Sequence, residues 1–503
     1  MVIMKNIKIR WLYIIPALYW APGVFADYKS DIGYADLETQ LGVNAPTGAG
    51  IKVTQVEASA VAVNDSAYPI YAPDTTNSQF SFKTFSFPGA ASTSPSGHAT
   101  GVGSLFYGNN SIANGISNIT SYEANDWINS IVTNSVSAPV NGSRIANHSW
   151  VGNSDTTAHT GTILRLVDRQ VQLNEFIQVV GMNNGPSNSP LLGSAYNVIA
   201  VGRTDGGHDS GSDAVDSVYV VGRTRPDLVA PQTTTSAAAP IVSAAAALLV
   251  ETGHNGGLTL SKDSTNVIGV GTIYNAERAE TIKAALMAGA DRVTDNTFTT
   301  ANITGYRSSG HQTSNGLDDR FGAGQLNVLH SYQIIAAGEQ NSQEDGGGNA
   351  GAIGLNGFDY DASFGGAGFG GSNSNSTATY NFIADADLNL SASLVWNFGV
   401  SNNGSLTTTL HDLNLELFDV TAQAVSAFSG SAIDNTENLW VNLIMGHSYE
   451  LLVKSGETNN FSWDYALAWH TSPINTAPVP VPAAFYLFAS ALAGLGLVGR
   501  RKA

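Results

Sequence analysis

Apolar residues change their period once along this chain, and that change restricts the architectures open to it. From about residue 48 to 335, short apolar runs alternate with stretches of helical spacing. The strand candidates are 51–58 (IKVTQVEA), 144–150 (RIANHSW), 176–182 (FIQVVGM), 197–202 (NVIAVG) and 217–222 (SVYVVG). The helix candidates are 161–171, 239–251 and 277–290. Continuous apolar strands separated by helices predict an α/β fold, with a parallel sheet covered on both faces and any site at the strand C-terminal ends. From 377 the period is two. Leu388, Leu390, Ala392, Leu394, Trp396 and Phe398 alternate with mostly polar residues, as do Leu413, Leu415 and Leu417. That pattern predicts an antiparallel β-sandwich or jelly roll. A Gly/Asn/Ser-rich stretch, 338–376, reads as the linker between them.

The ends of the chain carry a different kind of information. Lys5, Lys8 and Arg10 precede an apolar run that closes on Val24-Phe25-Ala26, so 1–26 reads as a secretory signal peptide. Apolar residues from Ala483 to Gly499 follow the Pro-rich 479–482 and precede Arg500-Arg501-Lys502. At roughly 25 Å as a helix, that segment just spans a thin bilayer, with its basic end in the cytoplasm. The plan is therefore 27–337 for the α/β domain, 377–475 for the β domain and 476–503 for a membrane-directed tail. A formal net charge of −18 argues against a nucleic-acid partner, which requires a basic face. With no cysteine, disulfides and thiolate chemistry are excluded too.

Four side chains at predicted strand ends or helix starts form a chemically coherent set. Glu57 closes the strand 51–58, His98 opens a predicted helix in SGHATGVGS, Asn183 ends the strand in VVGMNNG, and Ser236 lies in TTTSAAAP before a helix. A helix N-terminus suits a developing anion, although a serine there also suits a plain N-cap. Carboxylate, imidazole, carboxamide and hydroxyl are the parts that acyl transfer needs.

In this order the set resembles the subtilisin-like serine peptidases, or subtilases. RPDLVAPQTTTSAAAP is similar to their serine segment, GHATGVGS to their histidine segment, and VVGMNNG to the strand ending in their oxyanion asparagine. ANHSWVG resembles the strand whose backbone pairs with substrate, and RFGAGQLNVLHS resembles their closing segment. The resemblance, over about 45–335, implies a serine endopeptidase acting on protein or peptide substrates. It implies a Glu57-His98-Ser236 triad, Asn183 in the oxyanion hole and substrate contacts at Ser149 and Trp150. Three positions depart from the family: Glu57 stands for Asp, Ala99 for the glycine after the histidine, and Thr234 for the glycine before Thr235-Ser236. These departures motivate the alternative, a non-catalytic surface or matrix-associated binding protein that keeps the fold. No cofactor is implied beyond a structural Ca2+, with Asp205, Asp209 and Asp213 as candidate ligands against the plainer reading of a solvated loop. The tail resembles the PEP-CTERM sorting signal of Gram-negative bacteria. That implies signal peptidase and an exosortase-type enzyme as partners, a transient stay at the inner membrane, and release to the cell surface or matrix.

Overall fold

The computed structural model describes residues 28–60, 69–88, 94–133, 142–299, 301–344, 352–365, 376–457 and 461–474. The expected signal segment and the C-terminal tail lie outside those residues, as do parts of the Gly-rich stretch.

One parallel sheet organises the first part of the chain. Its strands are β1 (Lys52–Glu57), β2 (Thr84–Ser86), β3 (Asn118–Glu123), β4 (Ile145–His148), β5 (Ile177–Gly181), β6 (Ile199–Arg203) and β7 (Leu228–Ala230). They lie in the order β2-β3-β1-β4-β5-β6-β7. The chain builds outward from β1 in one direction through β3 and in the other through β4. The C-terminal end of β1 is therefore the switch point, where open α/β sheets hold their ligands. Helices α1 (Tyr34–Leu41), α2 (Gly97–Phe106), α3 (Ala124–Thr133), α4 (Thr157–Asn174), α5 (Thr235–Gly256), α6 (Ala279–Ala288) and α7 (Val328–Ala336) cover the sheet. Core residues of α1, α2, α5, α6 and α7 pack with Val53, Ile145, Val179 and Val201 on one face. Trp127 of α3 and Ile163 and Val167 of α4 pack with Val56, Ala146 and Val180 on the other. Helix α5 has the length and hydropathy of a membrane span, but 78% of its most apolar window is buried in the fold. Its alanines let it lie close to the sheet.

The second part is a sandwich of two antiparallel sheets. One runs Gln343–Glu344, Thr377–Ile383, Ser448–Ser455, Leu413–Asp419, Ala424–Ser429, and the other Gly357–Phe364, Trp463–Pro473, Leu388–Val395, Thr436–Leu443. Residues 413–419 alternate strictly between buried and half-buried, and Leu390, Leu415, Leu451 and Trp469 meet between the sheets. The two parts share a core. All ten residues of α6 are buried, and Phe358, Val395, Ala466 and Ala468 of the sandwich join the α/β cluster.

The fold class is the expected one, and two local expectations change. Residues 217–222 form no strand. The carboxylate of Asp216 accepts the N–H groups of Val218 and Tyr219 at 2.8 and 3.0 Å, a side-chain turn that competes with sheet pairing. Inside the stretch expected to be linker, Gly357–Phe364 is a strand paired with Trp463–Trp469. Phe358, Tyr360 and Phe364 supply its buried apolar side chains, and flanking glycines mask that pattern in the composition.

Candidate active site

Glu57 ends β1 at the switch point and is 1% exposed. Helix α2 begins beside it because Ser96 caps the helix, its Oγ accepting the Ala99 N–H at 3.3 Å. His98, in that first turn, places Nδ1 2.9 Å from Glu57 Oε2. A carboxylate can only accept, so the proton sits on Nδ1, and Nε2 of the neutral ring keeps its lone pair. Burial pushes the His98 pKa down, but the charge of Glu57 and the hydrogen bond to it outweigh that, and the net shift is upward from 6.5. Burial pushes His148 and His470 down to about 3 and His208 down to about 4. His98 is thus shifted in the opposite direction from these three buried histidines. Glu123 lies beside Glu57 in register, but its carboxylate is committed to α3, accepting the Asn125 and Asp126 N–H groups at 2.8 and 3.2 Å.

Ser236 is not the N-cap of α5. Thr234 holds that position, and Ser236 is the second helical residue, half-buried. The end of β5 locks the helix start in place. Thr235 Oγ1 donates to the Met182 carbonyl at 2.6 Å, and the Thr235 N–H donates to Asn184 Oδ1 at 2.9 Å. Gly181 permits this approach, since a Cβ there would lie 3.2 Å from the Thr235 carbonyl oxygen. Asn183 and Ser236 are thus held on two interlocked segments. The Asn183 amide donates to the Ser187 carbonyl at 3.2 Å, and its own carbonyl accepts the Asp209 N–H at 2.9 Å.

Pro240 sits four residues after Ser236 inside α5. Proline has no N–H, so the Ser236 carbonyl loses its helical donor. Ser149 replaces it, donating from Oγ at 3.1 Å. Asn147 donates to Ser149 Oγ at 2.9 Å and accepts from Ser243 Oγ at 3.0 Å. The hydroxyl of Ser149, a residue expected at the substrate, therefore faces the backbone of Ser236. Trp150 is 5% exposed and its ring meets His148 edge-on, so its indole is packed inward. Among the described residues, no hydrogen bond joins His98 to Ser236; the His98 side chain bonds to Glu57.

The 207–213 loop is anchored by His208, whose Nδ1 accepts the Arg203 N–H at 3.0 Å while Nε2 donates to the Arg320 carbonyl at 2.9 Å. Burial and the charge of Asp209 push Asp213 up to about 6. Asp205 pairs with Arg203. Among the described residues, no three His, Asp or Glu side chains converge as an ion site.

Sequence reading missed Gln55, Tyr107, Asn147 and Ser243 and placed Asn184 at a strand end without a role; all five support the named residues. The available signals were a glutamine in the middle of an apolar strand and a tandem asparagine at a strand end.

No protein-family model and no curated protein matches the chain. Among solved structures, it is similar to a protease from Pseudoalteromonas arctica at 13% identity, covering 61% of this chain and 97% of that one, with a TM-score of 0.37. It is similar to the PatG macrocyclase domain at 14% identity over 61% and 97%, with a TM-score of 0.39. The pre-peptidase C-terminal domain of a Bacillus anthracis collagenase matches at 21% identity over 24% and 99%, with a TM-score of 0.17. None of the three reaches a TM-score of 0.5, so the chemistry of the site rests on its own residues.

Proposed function

We propose that this chain is an exported serine endopeptidase of subtilase type, cleaving protein or peptide substrates through an acyl-enzyme. The observation that carries the reading is the 2.9 Å contact between Glu57 Oε2 and His98 Nδ1 at the switch point. It leaves Nε2 of the half-exposed imidazole free to act as a base. Ser236 Oγ attacks the scissile carbonyl as its proton passes to His98 Nε2, and His98 then delivers that proton to the leaving amine. Glu57 keeps the ring in the productive tautomer and stabilises the imidazolium. Asn183 and the Ser236 N–H receive the oxyanion.

Besides the departures at Glu57, Ala99 and Thr234, the reading of a binding protein without catalysis has in its favour that, among the described residues, no hydrogen bond joins His98 to Ser236. Such contacts commonly tighten only when substrate binds, so the missing bond does not outweigh the Glu57–His98 pair. A fluorophosphonate probe decides. The purified protein takes up the label, and Ser236→Ala abolishes it. Equal labelling of both proteins, or of neither, ends the peptidase reading.

The tail gives the proposal its location. We propose that the segment 483–499 holds the chain at the inner membrane until a sorting peptidase cuts near 479–482. The basis is the succession of Pro-rich entry, marginal span and basic end. Intact mass of the surface and medium forms checks this, and Arg500-Arg501-Lys502 retained on all of the protein rules out processing.

A further inference from the structure

Gln55 is an unusual residue for its place. It lies in the middle of β1, a strand covered on both faces, and is 0% exposed. A carboxamide there destabilises the core unless all its bonds are made. They are made in one direction only. Nε2 donates to Glu57 Oε1 at 2.9 Å and to the Ala99 carbonyl at 2.8 Å, and Oε1 accepts from the hydroxyl of Tyr107. The opposite amide orientation would set an oxygen against two acceptors, so the surroundings fix it. Tyr107, also 0% exposed, follows the last residue of α2 and reaches Gln55 past Gly103. A Cβ at Gly103 would sit 2.5 Å from the Tyr107 hydroxyl.

We infer that Gln55 and Tyr107 are positioning residues that fix the Glu57 carboxylate against His98. Residues two apart on a strand share a face, so Gln55 lies alongside Glu57 and holds the oxygen that His98 leaves free. The same amide grips the carbonyl of Ala99, next to His98, and so ties carboxylate and imidazole to one group. Glu57 has one more rotatable bond than an aspartate would have, and this clamp removes the added freedom. Among the described residues, Glu57 is the charged group acting on His98. Tyr107, the other titratable group at the clamp, is kept neutral by burial and by the charge of Glu57.

The inference rests on the peptidase reading for its consequence, but its test does not. The first measurement is the titration of the His98 imidazole by NMR in the full chain carrying Ser236→Ala, where no turnover is needed. Releasing the carboxylate weakens its hold on the imidazolium. Gln55→Met therefore lowers the His98 midpoint by about half to one pH unit, and Tyr107→Phe lowers it by less. In the otherwise unaltered chain, the same substitutions slow fluorophosphonate labelling roughly 10- to 100-fold through misplacement of the base. An unchanged or raised midpoint in a folded variant overturns the inference. If Gln55→Met does not fold, Tyr107→Phe decides alone, since it removes one hydroxyl and keeps the ring. If the parent chain takes up no label, the peptidase reading fails while the titration still decides the clamp.

Discussion

Glu57 in the α/β part and Glu437 in the sandwich are both sealed glutamates, at 1% and 0% exposure, but their hydrogen bonds lead to different places. From Glu57 the bonds run inward to Gln55 and Tyr107 and outward to His98, whose side chain is 36% exposed. From Glu437 every bond ends on another buried group. Its carboxyl accepts from Ser429 Oγ and from the Ser431 N–H, and Ser431 Oγ donates to Asp434. Without a base nearby, burial pushes Glu437 up to about 9, so it is neutral at ordinary pH. A buried acid therefore has a place in chemistry when its chain of bonds reaches a group that substrate can touch. When the chain closes on itself, the acid shapes the core.

The largest expected effect comes from making the same substitution at both sites. Glu57→Gln removes the charge and offers an amide that stabilises the wrong imidazole tautomer. It cuts the labelling rate of Ser236 by about 10^4, while Glu57→Asp is milder because it keeps the charge and loses only reach. Glu437→Gln leaves the labelling rate within about twofold, because the hydrogen bonds of Glu437 run to Ser429 and Ser431 and not to Glu57, His98 or Ser236. Rates measured side by side on folded proteins check this. A fully active Glu57→Gln variant breaks the comparison and moves the orienting carboxylate elsewhere, with Asp65, outside the described residues, next to be replaced.

The same contrast explains what the sequence made legible. Parallel strands buried on both faces leave their chemistry to their ends, so Glu57 and Asn183 stood out at strand ends and His98 at a helix start. Supporting groups carry no such mark. Gln55 and Tyr107 lie 52 residues apart, and only the folded register brings them together. Strand β3, with Thr120, Ser121 and Glu123 on a buried segment, is too polar for an apolar-run criterion to find. Residues 217–222 are apolar enough for a strand, but Asp216 captures the backbone first. In the sandwich, alternation from 388 to 398 and from 413 to 417 exposed the architecture directly, because one face of each strand meets the core. The closed network around Glu437 had no signal at all, since serines and acids in turns look the same whether buried or solvated.

The smallest expected effect is a slope in stability with pH, and it sharpens what a closed network means. Glu437 has an ordinary value of 4.5 and a folded value of about 9, so the folded state holds a proton that the unfolded state releases. Its contribution is fully present below pH 4.5 and is lost as pH rises toward 9. Asp359, pushed up to about 7 by burial, acts with the same sign over a lower window, so the parent chain alone does not isolate Glu437. Glu437→Gln does, because it keeps a neutral group of the same shape. Its oxygen still accepts the Ser431 N–H, and its amide donates to Ser429 Oγ once that hydroxyl turns. The variant and the parent therefore melt together near about pH 5. The variant melts higher near about pH 8.5, by on the order of 2–4 °C for each ~1 kcal/mol of proton linkage removed. Melting curves of both proteins at the two pH values check this. Parallel declines for parent and variant would mean that Glu437 is already charged in the fold and that its network is held together by something other than a neutral acid.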